Sequence, residues 1–373
     1  MNLTLLDRVN LGRLWMQGAL REHRRWKNQS DRHGIRVFYG FDRLPLPGEK
    51  ASGGIIKVQD LQADFPNQVT GANILYLVSS ALPHFAVRMA ELARRAGAFI
   101  VLNQNGVAYP GWYGPGWEQA NRPLRQVLHL ADYVIYQSHF CRQAADKFLG
   151  PREGAFEILH NPVDTGIFKP DPQQAARHDE VVNLLLAGSH QSYYRVRVAV
   201  EALQLVLREF PQARLIVAGR CCWERDEEQA LARIKRLVSE LGLGNQVDFI
   251  GPYTQSRAPA MFNRAQVLLH TKYNDPCPRL VVEGMACGLP VVYSATGGVP
   301  ELVGAEAGKG VAGPLDWEQD HSPDPRALAA ALVEVVSHLD RYGRAARRRA
   351  VENFDVRPWL ERHRQIFAQL LKS

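Results

Sequence analysis

The sequence predicts an α/β protein of two doubly wound domains that face each other across a cleft. Its 373 residues exceed the roughly 100–200 residues of a usual single domain. Short apolar runs alternate with amphipathic segments in two regions of the chain, which indicates parallel strands connected by helices. A proline-rich stretch at residues 160–173 separates the two regions, so we expect one domain on each side of it.

The first alternating region begins at Ile35. Its predicted strands are Ile35–Tyr39, Asn73–Ser79, Ala98–Leu102 and Tyr133–Gln137, and its predicted helices are Phe85–Arg95 and Arg142–Leu149. Strand, helix and strand in this order indicate a parallel sheet. We assign residues 1–165 to this first domain.

The second alternating region follows a linker that we place at residues 166–180. Its predicted strands are Val182–Gly188, Ala213–Gly219, Val247–Gly251 and Val267–Thr271, and its predicted helices are Val196–Glu209, Glu224–Leu241 and Ala258–Arg264. We assign residues 181–356 to the second domain. The last predicted helix, Arg357–Leu371, is expected to pack back on the first domain, so residues 357–373 are assigned there. Ligands of such sheets bind beyond the carboxyl ends of the strands, which predicts one deep site between the domains.

The first 34 residues have a different pattern, which predicts a helical extension. Apolar residues from Leu3 to Leu20 precede the basic residues Arg21, Arg24, Arg25 and Lys27. One interpretation is a helix that caps the domain or contacts a second copy of the chain. The other is a basic amphipathic helix that lies on an anionic membrane.

Composition excludes several classes of protein. Hydrophobic residues make up 46% and charged residues 22% of the chain, a balance typical of globular proteins. No run approaches the roughly 20 apolar residues of a membrane-spanning helix, and the N-terminus lacks a secretory signal. We therefore expect a cytoplasmic protein, with membrane contact restricted to the periphery of the inner face.

The net charge and the cysteine pattern indicate which kinds of ligand the protein is expected to bind. The net charge of +7 favours anionic ligands, but the basic residues are not interleaved with aromatic ones as in RNA-binding proteins, so we expect no nucleic acid. The 5 cysteines are scattered without CxxC or His-paired spacing, which indicates neither a disulfide framework nor a zinc site.

The most informative stretch runs from residue 274 to 301. It contains Asp275 in a proline-rich turn and Glu283, eight positions later, in the predicted helix that follows. A turn that enters a helix presents free backbone amides and the positive end of the helix dipole, which suits a diphosphate. The two carboxylates are then placed to accept hydrogen bonds from sugar hydroxyls on either side of it.

This stretch resembles the retaining glycosyltransferases of family 4, which have the GT-B fold of two facing Rossmann-like domains. The shared pattern is an acidic residue, seven others and Glu in a helix, then a Gly-x-Pro-Val-Val strand and a Gly-Gly-x-x-Glu turn that ends at Glu301. Residues 131–138 and 160–170 are similar to the family's last N-domain strand and its linker. The resemblance covers the chain from about Ile35 to the C-terminus.

The resemblance implies roles for individual residues. Glu283 would hold the nucleotide ribose, and Asp275, where Glu is usual, would hold donor-sugar hydroxyls. Of the family's Arg/Lys pair, Arg195 fits the Lys position, whereas Ser189 stands where an Arg is often found. Arg279 is a possible substitute for the missing cation, and Arg197 is either a second cation or part of a solvated helix face.

Gly53 and Gly54 match the donor-contacting loop of the first domain, and base recognition is expected near Tyr253. The predicted catalytic residues are Asp275, Arg195 and Glu283. The predicted donor-binding residues are Gly53, Gly54, Ser189, Arg195, Tyr253, Asp275, Pro278, Arg279, Leu280 and Glu283.

Acceptor contacts are predicted after the third strand of the first domain. Asn105 stands where the family commonly has a His that touches the donor sugar, and Asn binds a hydroxyl but carries no proton. Tyr109 and Trp112 begin a segment rich in aromatic residues and glycine, as in sugar-stacking loops. A packed loop is the alternative for this segment.

The predicted activity is glycosyl transfer, with retention, from a UDP- or GDP-linked sugar to a hydroxyl of a glycan, a lipid-linked saccharide or a small metabolite. We expect no cofactor and no metal, since no Asp-x-Asp motif follows a strand. One alternative is a nucleotide-sugar epimerase on the same architecture. Another is a non-catalytic sugar-binding or scaffold protein. A dehydrogenase would need Gly-x-Gly-x-x-Gly after a strand, which the sequence lacks.

Overall fold

A computed structural model describes residues 18, 20–28, 30–46, 49, 53–172 and 181–373. Most of the predicted apolar part of the N-terminal extension and the end of the linker, residues 173–180, lie outside these ranges. Residues 20–25 are helical. None of the described helices is long and apolar enough to span a membrane.

The first domain is a parallel sheet whose described strands have the order β1-β2-β3-β4-β5. They are β1 (Val37–Phe38), β2 (Ile74–Val78), β3 (Phe99–Gln104), β4 (Tyr133–Tyr136) and β5 (Ala155–Ile158). Asn67 extends the sheet beyond β1 through a parallel bridge to Val37. The chain thus moves from β1 to this outer edge and returns to β2 on the other side of β1. This reversal makes β1 a switch point of a doubly wound sheet.

Helices cover both faces of this sheet. They are α1 (Gly53–Gln62), α2 (Ala86–Arg95), α3 (Pro110–Tyr113), α4 (Trp117–Leu130) and α5 (His139–Phe148), with a 3-10 turn at Ser79–Ala81. Buried residues of α2, α4 and α5 share one core cluster, and those of α1 belong to another on the opposite face.

The second domain has a parallel sheet with the order β11-β10-β9-β6-β7-β8 in the described chain. Its strands are β6 (Asn183–Ala187), β7 (Arg214–Ala218), β8 (Val247–Gly251), β9 (Val267–His270), β10 (Val291–Ser294) and β11 (Gly308–Val311). Because β7 and β8 extend one way from β6 and the later strands extend the other way, the winding reverses between β6 and β9. A ligand site is expected at the carboxyl ends of these two strands.

The helices of the second domain complete the α/β layers. They are α6 (Tyr194–Val206), α7 (Glu227–Glu240), α8 (Ala258–Phe262), α9 (Arg279–Ala286), α10 (Val299–Val303), α11 (Pro325–Ser337) and α12 (Leu339–Phe354). The final helix, α13 (Val356–Lys372), packs on the first domain, where Trp359, Ile366 and Phe367 join the core cluster that contains Tyr39 and Tyr76.

Two elements of the first domain differ from the sequence predictions. The strand at residues 133–137 is not the last of its sheet, because β5 pairs with β4 beyond it. The half-exposed β5 lacks the apolar run by which strands are recognised. Helix α4 was also not predicted, since Pro123 lies inside it and proline removes a helical hydrogen bond.

A buried hydrogen-bond chain ties α13 to the first sheet. His363 Nδ1 faces the carbonyl of Trp359 at 2.8 Å and must donate to it, so Nε2 accepts from the Tyr76 hydroxyl at 3.0 Å. Asn103 Nδ2 donates to the same hydroxyl, and Gln137 Nε2 donates to Asn103 Oδ1 at 2.5 Å. This series of hydrogen bonds requires a neutral imidazole at His363.

We expect the free energy of unfolding to depend on the protonation of His363. Burial lowers the pKa of His363 to about 4, below the value of about 6.5 in an unfolded chain. The unfolded state therefore binds more protons as the pH falls between these values, and the stabilising contribution of His363, roughly 3 kcal/mol, is lost over that range. It is fully present above about pH 6.5.

Urea unfolding of the wild type and of His363→Gln between about pH 5 and 7 measures this effect. The slope of stability against pH should be smaller in the variant, since Gln can accept from Tyr76 without titrating. Equal slopes would contradict the assignment.

Candidate functional site

The central element of the cleft is the turn between β9 and α9. Gly297 packs against it so closely that a Cβ would lie 2.4 Å from the carbonyl oxygen of Asp275, and Gly298 N donates to that oxygen at 2.9 Å. Gly297 also has φ 73°, which favours glycine. The Gly-Gly pair therefore holds the turn in place. The turn itself contains Asn274, whose φ of 48° is the only positive value of a non-glycine in the described residues.

The Asp275 carboxylate is buried among groups that stabilise its negative charge. It accepts a hydrogen bond from His270 Nε2 at 3.1 Å and lies 3.4 Å from Lys272 Nζ. Burial alone would raise the pKa of Asp275, but Lys272, His270 and Arg195 outweigh it and hold the pKa far below its usual range. Burial lowers the pKa of His270, so this imidazole is neutral near pH 7. Asp275 is thus a permanent anion at the carboxyl end of β9.

Glu283 lies on α9 and is also buried. Its Oε1 accepts from Gln255 Nε2 at 2.7 Å and from Arg279 Nε at 2.8 Å. The Arg279 guanidinium also forms an ion pair with Asp60 of α1, in the opposite domain. Burial opposes the charge of Arg279, but the two carboxylates prevail and raise its pKa. Arg279 therefore links the domains, and its charge is already balanced.

Arg195 lies at the start of α6 with its side chain buried. Its Nη1 donates to the carbonyl of Ser189 at 2.6 Å, whereas Nε is buried without a partner. Burial lowers the pKa of Arg195, and Asp275 partly offsets this effect. Arg197, two residues later, donates to both carboxylate oxygens of Glu201 on the helix surface. The two arginines thus differ: Arg195 points into the protein beside the Asp275 turn and Arg197 does not.

The remaining predicted donor residues lie at the start of α1 in the first domain and at the start of α9 in the second. Gly53 and Gly54 are the first residues of α1. A Cβ on Gly54 would lie 2.8 Å from Ser80 Oγ, so close packing against Ser80 accounts for a glycine at this position. A Cβ on Gly53 would face open space. Pro278 caps α9, and Leu280 lies 3.3 Å from the Cβ position of Gly188 at the end of β6.

The base-binding position was predicted near Tyr253. This residue follows β8, is partly buried and packs against the large core cluster that spans both domains. Burial raises the pKa of its hydroxyl, which remains protonated near pH 7.

The predicted acceptor residues separate into different environments. Tyr109 is only 5% exposed and packs between Phe148 and Trp317, so it belongs to the core, as the packed-loop alternative held. Trp112 is 39% exposed, and Lys272 Nζ lies 4.9 Å from its ring centroid. The backbone amide of Asn105 donates to Ser79 Oγ at 2.7 Å. Of these three residues, Trp112 is the one with an exposed aromatic ring.

Two interdomain contacts were not recognised from the sequence. Trp317, which follows β11, inserts into the first domain and stacks on Phe140 at 5.0 Å. Glu301 accepts from the amides of His139 and Phe140 at the start of α5. Nothing local marks Trp317, since it lies in a loop, whereas Glu301 was visible as the last residue of the Gly-Gly turn. A cavity of about 460 Å³ lies beside this contact, lined by His139, Gln143, Thr296, Glu301 and Leu315 among others.

The described residues contain no group of three or more His, Cys, Asp or Glu side chains arranged to hold a metal ion.

Comparison with known protein families gives the sequence relationship. Residues 168–337 match the family described as Glycosyl transferases group 1. The matched residues make up most of the second domain and a little under half of the chain. The match includes Arg195, Asp275 and Glu283, and thus the whole β9–α9 turn.

Curated relatives resemble about half of the chain. A D-inositol 3-phosphate glycosyltransferase of Mycobacterium leprae is 31% identical over 197 residues, which are 50% of this chain and 44% of the relative. The protein of that name from Mycolicibacterium smegmatis is 27% identical over 234 residues, 57% of this chain and 51% of the relative. The chain therefore aligns with about half the length of these relatives.

Solved structures share the fold of both domains. HepE from Anabaena in complex with UDP and glucose has a TM-score of 0.69 at 17% identity and covers 90% of this chain and 100% of its own. Sucrose-phosphate synthase from Thermosynechococcus elongatus has a TM-score of 0.65 at 19% identity, with 92% and 88% covered. The predicted GT-B fold of two Rossmann-like domains is confirmed.

Proposed function

We propose that this protein transfers a glycosyl group from a nucleoside-diphosphate sugar to an acceptor hydroxyl, with retention at the anomeric carbon. The observation that carries the proposal is that Asp275, Arg195 and Glu283 are all buried around the β9–α9 turn at the β6/β9 switch point, facing the first domain. Ligands of doubly wound sheets bind at such points. The match of this region to group 1 glycosyltransferases supports the same function.

Each group has a role in this reaction. The first amides of α9 and the Arg195 guanidinium bind the diphosphate, because both supply positive charge at the carboxyl end of the sheet. Glu283 accepts hydrogen bonds from the ribose, and Asp275 accepts them from hydroxyls of the donor sugar. Asp275 suits this role because it stays ionised when water is excluded from the closed cleft.

The chemical step is a displacement on the face from which the diphosphate leaves. The bond from the anomeric carbon to the phosphate oxygen breaks, the bond to the acceptor oxygen forms, and the acceptor proton passes to the leaving phosphate oxygen. The protein contributes orientation and charge stabilisation rather than a covalent intermediate. Neither a cofactor nor a metal is part of this proposal.

The donor is a UDP-linked sugar in the first instance, since HepE was solved with UDP-glucose, and a GDP-linked sugar is the second choice. The acceptor is a glycan, a lipid-linked saccharide or a small metabolite. The curated relatives carry names that refer to inositol 3-phosphate, which makes a phosphorylated polyol one small metabolite to test.

A non-catalytic sugar-nucleotide-binding protein is the second candidate. It is favoured by the departures at Ser189, Asn105 and Asp275, each of which shortens or removes a group that the glycosyltransferase family usually has. Both candidates bind a nucleotide, but only the enzyme releases free nucleoside diphosphate from the donor in the presence of an acceptor.

Glu283→Ala should abolish most of the nucleotide-induced rise in melting temperature. Loss of a charge-assisted hydrogen bond of about 1.5–3 kcal/mol weakens affinity by roughly 10- to 100-fold, and the thermal shift falls with affinity. Melting curves with UDP, GDP, ADP and TDP measure this effect.

Glu201→Ala is the matched control, since Glu201 pairs with Arg197 on the surface of α6 and should respond to nucleotides like the wild type. A wild-type protein that responds to none of the four nucleotides would refute nucleotide-dependent transfer.

A further inference from the structure

Lys272 occupies a position that the proposed roles do not explain. It follows β9, and its ammonium lies 3.4 Å from Asp275 Oδ2 and 4.9 Å from the centroid of the Trp112 ring. Its side chain is 21% exposed, so the charge is partly withdrawn from water. The ammonium therefore lies between the donor-sugar carboxylate of the second domain and the aromatic loop of the first.

Two other arginines of this region are already neutralised. Arg197 is held by Glu201, and Arg279 is held by Asp60 and Glu283. Their charges are balanced before any ligand arrives.

Lys272 and Arg195 differ from those cations because both depend on the single carboxylate of Asp275. Asp320 is close enough for Lys272 to lower its pKa, but burial raises that pKa to about 6, and the two groups are beyond ion-pair distance in the described structure. Among the described residues, Asp275 is the carboxylate within ion-pair distance of Lys272, and Arg195 forms no ion pair, which leaves positive charge for an anionic ligand.

We propose that Lys272 is the second cation of the diphosphate site and stabilises the leaving phosphate oxygen. This inference rests on the proposed glycosyl transfer. Diphosphate carries at least two negative charges, and the position of Ser189 supplies none to balance them. Lys272 supplies the charge from the β9–α9 turn instead.

The location of Lys272 fits the proposed chemical step. In a same-face displacement, the acceptor hydroxyl and the leaving oxygen meet on one side of the sugar. Lys272 touches both the donor-sugar carboxylate and the Trp112 face. The acceptor proton passes to the leaving phosphate oxygen.

A merely structural lysine would behave differently. If Lys272 only neutralised Asp275, its removal would weaken sugar contacts and leave the affinity for the diphosphate unchanged. If Lys272 binds the diphosphate, its removal should weaken the binding of UDP more than the binding of uridine.

Calorimetric titration of UDP, UMP and uridine into the full chain tests the proposal, with GDP and ADP in parallel. Lys272→Met should weaken UDP binding by about 10- to 100-fold, as expected for a charge-assisted contact, and leave uridine binding unchanged. Lys272→Arg should retain most of the affinity for UDP. Arg197→Met, which removes a neutralised cation of the neighbouring helix, is the matched control and should bind UDP like the wild type.

The ratio of UDP to uridine affinity decides the result. An unchanged ratio in Lys272→Met overturns the role of Lys272 while the proposed function stands, because the wild type still binds the nucleotide. A wild type that binds no nucleoside diphosphate overturns both. If Lys272→Met does not fold, Lys272→Gln, which keeps a polar group beside Asp275, is measured against the same three ligands, with the same ratio as the criterion.

Discussion

Asp275→Asn should lower kcat/KM for glycosyl transfer by about 10²- to 10³-fold. The change removes the anion that accepts from His270 and balances Lys272 and Arg195, although it preserves the shape of the side chain. A neutral amide binds sugar hydroxyls less strongly than a carboxylate, and two cations are left without their counter-charge. Release of nucleoside diphosphate from a donor sugar measures the effect.

Asp248→Asn is the control for this change. Asp248 is exposed on β8, and its carboxylate lies 3.6 Å from Arg264, so its loss should leave kcat/KM unchanged. The UDP affinity of Asp275→Asn should change less than its turnover, because the proposed role of Asp275 concerns the sugar. Wild-type turnover in Asp275→Asn would exclude Asp275 from the reaction.

Trp317→Ala should reduce the free energy of unfolding by about 3–5 kcal/mol. The indole is 7% exposed, and its centroid lies 5.0 Å from the ring centroids of Tyr109 and Phe140 and 5.3 Å from that of Phe148, all from the other domain. The backbone carbonyl of Trp317 also accepts a hydrogen bond from Gly111 N at 2.8 Å. Truncation leaves a cavity between the domains that the backbone contact cannot close. Urea unfolding followed by circular dichroism gives the change.

Trp112→Ala serves as the comparison, since Trp112 is 39% exposed and carries no interdomain aromatic packing in the described structure beyond its contact with Lys272. Its loss should cost less than about 1 kcal/mol. If the two tryptophan variants were equally stable, the aromatic cluster around Trp317 would not hold the domains together.

Much of the functional region could be predicted from its local pattern. Asp275, Glu283 and Glu301 were found because their spacing within one turn, helix and strand is a property of consecutive residues. The role of the Gly-Gly pair could not be predicted from the sequence. It depends on the close approach of Gly297 to the Asp275 carbonyl oxygen, which leaves no room for a Cβ.

Side-chain partners could not be predicted in the same way. Tyr109 was expected at the acceptor and proved to be core, because the residue that covers it, Trp317, is remote in sequence. Arg279 was considered as a substitute for the missing cation of the donor site, but Asp60, 219 positions away, balances its charge. Nothing in the sequence marked Lys272 as a site residue, because its proposed role depends on its distances to Asp275 and Trp112.

The sequence by itself determined the α/β class, the two alternating regions and the acidic pair of the β9–α9 segment, because apolar periodicity and turn chemistry act over a few neighbouring residues. Only the tertiary structure decided which charges are balanced and which remain available, how Trp317 joins the two domains, and that α13 returns to the first sheet. These features depend on distances between residues far apart in the chain, and both burial and Coulomb interactions are set by those distances.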